Sequence, residues 1–311
     1  MFIRLESLIF KGLQATLKMN NFIQSYELIL SKLNDLSINF DDFLQIRTPK
    51  LSNLELIALN LTAEFKQIDS ECQLFRELQG SYLFDKIERS VYNRRKRKLF
   101  GYIEQIRNQL SKSLAEFENY FIVDSMPLEV CKNARAARST VCKETDGAAP
   151  DKGFCASQQM YYYGYKLHAV CTIGGVFTSV DFTPASVHDI HFLKDIKLQM
   201  QNSTLLGDRG YISSTIKTDL FNTAEIKLET PMRTNQKDYK PQPYIFRKSR
   251  KRIETLFSQL CDQFMIRRNY AKTFQGFKTR IISKITALTM IQFLNKFTLN
   301  QNINNLKINI C

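Results

Sequence analysis

The order of periodic segments after residue 120 constrains the fold of this chain more than any other feature. Before that point, apolar residues recur at helical spacing, whereas after it the pattern becomes typical of strands that alternate with helices. Strands are predicted over 120–126, 161–172, 175–182, 204–208 and 225–231. Helices are predicted from Val187 to about Met200, from Ser213 to Phe221, from about Arg247 onward, and over the apolar stretch 281–294. The order β-β-β-α-β-α-β-α predicts an α/β domain, in which Ile173-Gly174-Gly175 closes a hairpin between the second and third strands.

The first part of the chain is predicted to be all-helical. Ser52 and Glu55 form a capping-box pattern, so a helix is expected from there to about Lys66. A second helix, capped by Asp69 or Ser70, would end at Gly80, and a third would span Asp85 to Leu110. Three helices with short turns are typical of a helix-turn-helix-like module, although other small bundles share the pattern.

The chain is strongly basic. Lys and Arg number 44 against 30 Asp and Glu, which gives a net charge of +14 and favours a polyanionic partner. Nucleic acid fits best because phosphate contacts dominate its non-specific affinity, although an anionic membrane surface would also suit a basic chain. No apolar run reaches membrane-spanning length. The predicted DNA contacts are the two densest basic stretches with their neighbours: Arg94, Arg95, Lys96, Arg97, Lys98, Arg250, Lys251, Arg252, Arg267, Arg268 and Lys272.

Three carboxylates fall at informative places in the predicted α/β domain. Its element order matches the ribonuclease-H-like fold, a mixed sheet with flanking helices. Asp124 lies in the first strand, Asp208 at the end of the fourth and Glu254 in the basic helix. Taken singly, Asp208 fits a turn as well as a ligand site and Glu254 fits a solvated helix position, but Asp124 interrupts an apolar strand.

In this fold the first and fourth strands are neighbours and the last helix packs on them, so the three acids are expected to converge. Converging carboxylates need cations, and Mg²⁺ suits an all-oxygen site. Two such ions, with Mn²⁺ as a substitute, would support phosphoryl transfer.

Several strings resemble one branch of the bacterial insertion-sequence transposases of the DDE superfamily. These are IVDSMPLEVCK, GFCASQQMYYYGYKLHAVCT, TPASVHDIHFLKDI, LLGDRGY and RIETLFSQLCDQFMIRRNYAKTF, and the resemblance runs from about Arg47 to Asn295. It implies that Asp124, Asp208 and Glu254 are the catalytic, metal-binding triad. A related group surrounds the glutamate with a Tyr-x2-Arg-x3-Glu-x6-Lys signature; here Arg250 matches the arginine, whereas Arg247 and Cys261 replace the tyrosine and the lysine. Roles assigned to that tyrosine and lysine therefore do not transfer.

The resemblance implies a transposase that binds the terminal inverted repeats of its element, cleaves there and joins the ends to target DNA. A homodimer is expected because two ends must be held together, and the expected location is the cytoplasm, on the nucleoid. Two alternatives stay open: a metal-dependent nuclease of the same fold that joins no strands, and a catalytically inactive DNA-binding protein.

The expected domains are a helical DNA-binding domain over 19–115, a catalytic domain over 116–300 and a tail over 301–311. Residues 1–18 form a possible extension upstream of a start at Met19.

The histidines and cysteines carry weaker signals. His168 fits a buried strand residue as well as a supporting contact to the acids, and His188 is a second candidate for such a contact. Asp189, at a strand-to-helix junction, fits a helix cap. Cys131, Cys142, Cys155 and His168 could be drawn as a zinc set, but their spacings are too long and irregular for a finger or ribbon. Seven cysteines without a C-x-x-C pair indicate reduced thiols.

Overall fold

The structure is a computed structural model that describes residues 21–40, 47–145, 147–233, 235 and 239–306. The possible N-terminal extension and the last residues of the tail lie outside these ranges. The chain divides into two compact units. One contains the described residues up to Gln109, Gln263–Met265 and the residues from Ile282 onward, and the other contains Leu110–Asp262 and Ile266–Ile281.

The first unit is helical. Its helices are α1 (21–34), α2 (Asn53–Phe65), α3 (Glu71–Glu77), α4 (Arg89–Lys98), most of α5 (Phe100–Leu114) and the later part of α9 (Phe274–Phe297). The predicted capping box is confirmed at the start of α2. The backbone N–H of Glu55 donates to Ser52 Oγ at 3.1 Å, and the N–H of Ser52 donates to Glu55 Oε2 at 2.7 Å. Ser70, one of the two residues expected to cap the second helix, precedes α3 at its N-cap position, but its side chain makes no capping hydrogen bond.

The predicted third helix is wrong as a single element. A short 3-10 helix (Phe84–Lys86) comes first, and α4 and α5 are separated at Leu99, whose backbone leaves the helical region. The buried residues Tyr92, Lys96, Leu99, Ile103 and Ile106 keep three- and four-residue spacing across this point. The buried stripe therefore continues past Leu99 although the helix is interrupted there, and no proline marks the interruption.

A buried polar network identifies which unit holds the end of α9. Lys284 forms a buried ion pair with Glu64, and Asn60 Nδ2 donates to Ser283 Oγ at 2.7 Å. The hydroxyl of Thr286 donates to the carbonyl of Ile103. Residues 282–300, which the sequence assigned to the catalytic domain, belong with the helical unit instead.

The second unit is built on one mixed sheet of six strands in the described residues. The strands are β1 (Tyr120–Cys131), β2 (Asp151–Cys155), β3 (Met160–Thr172), β4 (Phe177–Pro184), β5 (Ser203–Leu206) and β6 (Ile226–Glu229). Antiparallel pairs join β1 to β3 and β3 to β4, whereas β5 runs parallel to both β1 and β6. The order β4-β3-β1-β5-β6 with these directions is that of the ribonuclease-H-like fold, so the predicted fold class is confirmed.

Helices cover both faces of the sheet. One face carries a core formed with α6 (Leu193–Ile196) and α7 (Ser214–Ala224), in which Val123 and Val170 meet Phe192 and Leu220. The opposite face packs on α8 (Tyr244–Asp262), where Phe177 stacks on Phe257 with ring centroids 6.1 Å apart. Asp124 alternates with Val123, so its side chain lies on the α8 face.

Three elements differ from the prediction. Strand β2 was not predicted, and β1 continues five residues past Met126. The helix expected from Val187 to Met200 is a 3-10 helix (Asp189–Phe192) followed by the single turn of α6. Phe192, Leu193 and Ile196 of this segment are buried in the core and Ile190 and Met200 pack at its edge, whereas Leu198 is exposed, so packing supports a regular helix for just one turn.

The outer strand β6 is four residues long and carries the exposed Lys227. The hairpin at Gly174-Gly175 is present, with Gly175 at a φ of 95°. None of the described helices is both long enough and apolar enough to cross a membrane.

Candidate active site

Asp124 is held rigidly at the centre of the sheet. It lies opposite Ala169 in the β1–β3 pair, two residues past the last β1 residue that pairs with β5. Its Oδ1 atom accepts a hydrogen bond from the backbone N–H of Ser125 at 2.8 Å. The residue is half-buried, which removes part of its carboxylate from water.

Asp208 follows β5 by two residues and begins a 3-10 helix (Arg209–Tyr211). Its Oδ1 atom accepts from the N–H of Gly210 at 2.7 Å. A Cβ at Gly210 would lie 3.0 Å from that oxygen, and one at Gly207 would lie 3.1 Å from the Tyr211 side chain. The two glycines of LLGDRGY thus let the turn fold closely around the carboxylate.

Glu254 and Arg250 project from α8 one turn apart, and α8 packs on β1. Glu254 is exposed and Arg250 is half-buried. Among the described residues, the Glu254 carboxylate makes no hydrogen bond or ion pair, so it is available to a ligand.

The electrostatics place these four side chains in one neighbourhood. The pKa of Asp124 is raised to about 7, mainly by burial and also by the nearby carboxylates of Asp208 and Glu254, although the hydrogen bond from Ser125 and the charge of Arg250 act to lower it. A carboxyl group that gives up its proton near neutrality in a negative environment is typical of a functional site.

The residues fit a divalent cation by chemistry. All three acids offer carboxylate oxygens, the ligands that Mg²⁺ prefers, and each aspartate uses only one oxygen in its backbone hydrogen bond. The three carboxylates interact electrostatically, but within the described ranges no three acidic, histidine or cysteine side chains lie close enough to form a ready metal site. Mutual repulsion between like charges opposes their closer approach unless a cation lies between them.

Tyr211 is a neighbour of the acids that the sequence did not identify. It is fully buried, and its hydroxyl has no hydrogen-bond partner among the described residues. Burial raises the pKa of Tyr211 well above its ordinary value, and the charges of Asp189, Asp124 and Asp208 raise it further. The aromatic residue that ends LLGDRGY was the available signal, because a tyrosine three residues from an acid on one turn lies beside it.

The two histidines do not contact the acids. His168 lies on the face opposite Asp124, where its Nε2 shares a 2.8 Å hydrogen bond with Thr183 Oγ1 and its ring stacks on Phe192. Burial lowers the pKa of His168 to about 4, so the ring is neutral near pH 7. His188 is exposed, and its Nδ1 accepts from the N–H of Ile190.

His188 is thus the capping residue that we expected Asp189 to be. Asp189 instead forms an ion pair with Lys166 at 2.9 Å.

The cysteine–histidine zinc set is not formed. The carbonyl of Cys142 accepts from the Tyr165 hydroxyl, Cys155 Sγ lies 3.3 Å from Ser157 Oγ, and His168 bonds to Thr183. Among the described residues, no three His, Cys, Asp or Glu side chains are grouped as metal ligands.

The basic run of α4 is only partly available for DNA. Lys96 is buried and paired with Glu71 at 2.9 Å, because it faces the interior of the helical unit. The Arg95 guanidinium donates to the carbonyl of Leu51 and to Asn53 Oδ1. The prediction that all five cations meet phosphates is therefore wrong for Lys96, whereas Arg94 and Lys98 are exposed.

The second basic stretch is more open. Lys251, Arg267, Arg268 and Lys272 are exposed, and Arg252 is half-buried. Burial raises the pKa of the Cys171 thiol, and the nearby charge of Arg252 opposes that rise. Arg267, Arg268 and Lys272 lie in the connection between α8 and α9. They are accessible to a polyanion, and among the cations predicted to contact DNA, Arg250 is the one whose charge lowers the pKa of Asp124.

Comparison with known proteins is consistent with this geometry. Residues 116–290 match the family model described as the transposase DDE domain. No curated protein sequence matches the chain. A solved structure of the Mos1 transposase paired-end complex with the left transposon end is similar at 12% identity over 84% of this chain and 83% of that chain, with a TM-score of 0.21. That score is too low for the two arrangements to be equated. The family match spans more than half of the chain and contains all three acids, and the protein therefore belongs to the DDE transposase family.

Proposed function

We propose that this transposase binds the terminal inverted repeats of its insertion sequence and catalyses Mg²⁺-dependent strand cleavage and strand transfer. The observation that carries the proposal is the electrostatic grouping of Asp208 and Glu254 around Asp124, whose pKa burial and these charges raise to about 7. Such an arrangement is costly without a cation and suits one that is bound between carboxylates.

Each acid has a distinct role in this proposal. Asp124 and Asp208 would hold the cation from rigid backbone positions, and Glu254 would close the site from α8. A divalent ion bound there would polarise the phosphate and lower the pKa of an attacking water or 3′-hydroxyl. Arg250, beside Asp124, would offset the repulsion between the acids and the incoming phosphate. The reaction needs no serine or tyrosine nucleophile.

The helical unit would recognise the ends of the element. Helix α4 carries the exposed Arg94 and Lys98 and packs on both α2 and α3, so its cations are presented on a supported helix. These two residues are the part of the predicted basic run that can reach phosphates. A homodimer that holds both ends together is part of the proposal.

The test is a mobility assay that compares wild type with Asp208→Asn. The asparagine keeps Oδ1, which accepts the N–H of Gly210, so the turn is expected to fold. Insertions into a target plasmid should fall to background in Asp208→Asn and persist in Asp195→Asn, a matched change at an exposed aspartate of α6. Insertions that survive Asp208→Asn would overturn the assignment of the acids.

Purified protein separates transposition from the two alternatives. A plain nuclease would nick DNA that lacks the element ends, whereas a transposase should require them. A catalytically inactive DNA-binding protein would bind the ends without Mg²⁺-dependent cleavage. Cation binding can be measured without an activity assay, by following thermal unfolding. Mg²⁺ and Mn²⁺ should raise the melting temperature of wild type and should raise that of Asp124→Asn far less.

A further inference from the structure

Strands β1 and β3 continue well past the sheet centre on the side where Asp208 lies. Strand β5 pairs with β1 only as far as Ile122, and β1 then runs nine residues further, paired with β3. Strand β2 joins the start of β3 at the far end of this ribbon. We call β2, residues 160–164 of β3 and the preceding 3-10 helix (Asn133–Arg138) the basic–aromatic arm.

The tip of the arm lies on the same face as Asp124. Ala169 is opposite Asp124, and Tyr161 lies eight residues earlier on the same strand, so both side chains point to one face. Phe154 is directly opposite Tyr161 and shares that face. At about 3.3 Å per residue, the separation of Tyr161 from the level of Asp124 is about 26 Å.

The tip exposes aromatic rings that no core explains. Phe154 is 52% exposed and Tyr161 is 57% exposed, and their ring centroids lie 5.0 Å apart. The ammonium group of Lys152 lies 4.6 Å from the centre of the Tyr161 ring. An exposed pair of large rings beside a cation is typical of a binding surface.

The charges of the arm favour nucleic acid over protein. The 3-10 helix packs on β3 and presents Arg135 and Arg138, both exposed. Neither of these arginines nor Lys152 pairs with a carboxylate in the part of the chain that the structure describes. The neighbouring Asp151 uses its Oδ1 to accept the N–H of Lys152. Rings interleaved with unpaired cations match the chemistry of DNA bases and phosphates.

We propose that the basic–aromatic arm grips the DNA duplex roughly 8 base pairs from the scissile phosphate, a distance set by about 26 Å at about 3.4 Å per base pair. Phe154 and Tyr161 contact bases or sugars, and Arg135, Arg138 and Lys152 contact phosphates. The inference rests on the proposed function only in placing the scissile phosphate at Asp124. The contact itself is independent of cleavage.

The experiment measures binding rather than chemistry. Duplexes that extend about 4 or about 12 base pairs from the cleavage site, on either side, are titrated with wild type and with a Phe154→Ala/Tyr161→Ala variant. For one of the two directions of extension, wild type should bind the longer duplex more tightly than the short one. The variant should bind that longer duplex about tenfold more weakly than wild type does, and it should bind the short duplex with the same affinity as wild type. Phe221→Ala is the matched control, because Phe221 is a similarly exposed ring on α7, away from the arm.

A second variant tests the cations without touching the rings. Arg135→Gln/Arg138→Gln should reduce the salt dependence of long-duplex binding by about two phosphate contacts. Equal affinities of wild type and the aromatic variant on every duplex would overturn the proposal. So would sedimentation showing that wild type self-associates and the aromatic variant does not, because the arm would then bind a second copy. If wild type does not cleave DNA but still binds the longer duplex more tightly than the aromatic variant does, the proposed function is wrong and the arm contact stands.

Discussion

At the scale of single residues, the burial of Asp124 couples folding to pH. The pKa of its carboxyl group is about 7 in the folded protein, against 3.8 for an unperturbed aspartate. Between these values the folded protein keeps a proton that the unfolded chain releases, so the free energy of unfolding should fall as the pH rises from about 4 to about 7. The full shift corresponds to at most about 4 kcal/mol.

Asp124→Asn removes this titration and keeps the Oδ1 acceptor for Ser125. In the absence of divalent cations, the variant should be more stable than wild type at pH 8, by a few kcal/mol at most, and should match it at pH 4. Urea unfolding at both pH values measures the difference. Glu116→Gln, at an exposed position, is the control. A variant that is less stable than wild type at pH 8 would contradict the expected cost of the buried carboxylate.

At the scale of secondary structure elements, the close approach of β3 to β1 depends on one glycine. A Cβ at Gly164 would lie 2.1 Å from the carbonyl oxygen of Leu128, a distance that requires the strands to move. Gly164→Ala should therefore lower the free energy of unfolding by about 3 kcal/mol or more, measured by urea denaturation. Gly101→Ala is the matched control, since nothing lies within 4 Å of its Cβ and it lies in α5; it should be neutral or slightly stabilising. Equal stabilities of the two variants would show that the strands accommodate the methyl group.

The buried pair of α2 and α9 provides a second test at this scale. The Lys284 side chain is 1% exposed and that of Glu64 is 7% exposed. Lys284→Met leaves a buried carboxylate without its partner, so it should lower the free energy of unfolding by about 3–5 kcal/mol. The double variant Lys284→Met/Glu64→Leu should recover much of that loss. A double variant that loses the sum of the two single effects would show that the pair has no coupling.

The limits of sequence-based prediction are clear in particular elements. The capping box of α2, the hairpin and the β-α order were predictable because they depend on local chemistry. Strand β2 was not, because DKGFC has two charges and a glycine and becomes a strand only by pairing with β3. Proline is unusual inside a strand, but the pairing of β1 with β5 ends at Ile122, so on that side no neighbouring strand needs a hydrogen bond from Pro127.

The candidate site shows the same division. The order of the strands and the positions of Asp124, Asp208 and Glu254 on them were predicted from the sequence, and the residues matched by the DDE family model include all three. The burial of individual side chains was not predicted, because nothing in RRKRK distinguishes the buried, paired Lys96 from the exposed Arg94. Nor does the local sequence show that Asp189, at the start of a 3-10 helix, pairs with Lys166 on strand β3.

At the scale of the whole molecule, the net charge of +14 predicts salt-sensitive DNA binding. Affinity for duplex DNA should fall by about 10³-fold between about 50 and 200 mM salt if six or more phosphates are contacted. Arg94→Gln/Lys98→Gln should flatten the slope of log affinity against log salt, by about two units at most. Lys96→Gln should leave the slope unchanged and lower stability instead, because it leaves Glu71 without its buried partner. A flat salt response of wild type would exclude phosphate contacts as the main source of affinity.

The outermost strand of the sheet affects the tendency of the protein to aggregate at high concentration. Strand β6 has one unpaired edge among the described strands, and such an edge can recruit a strand from another molecule. Its four-residue length, the outward Lys227 and the nearby Pro231 each oppose that recruitment. This short, charged edge is therefore expected to keep newly made chains from joining into aggregates through β6.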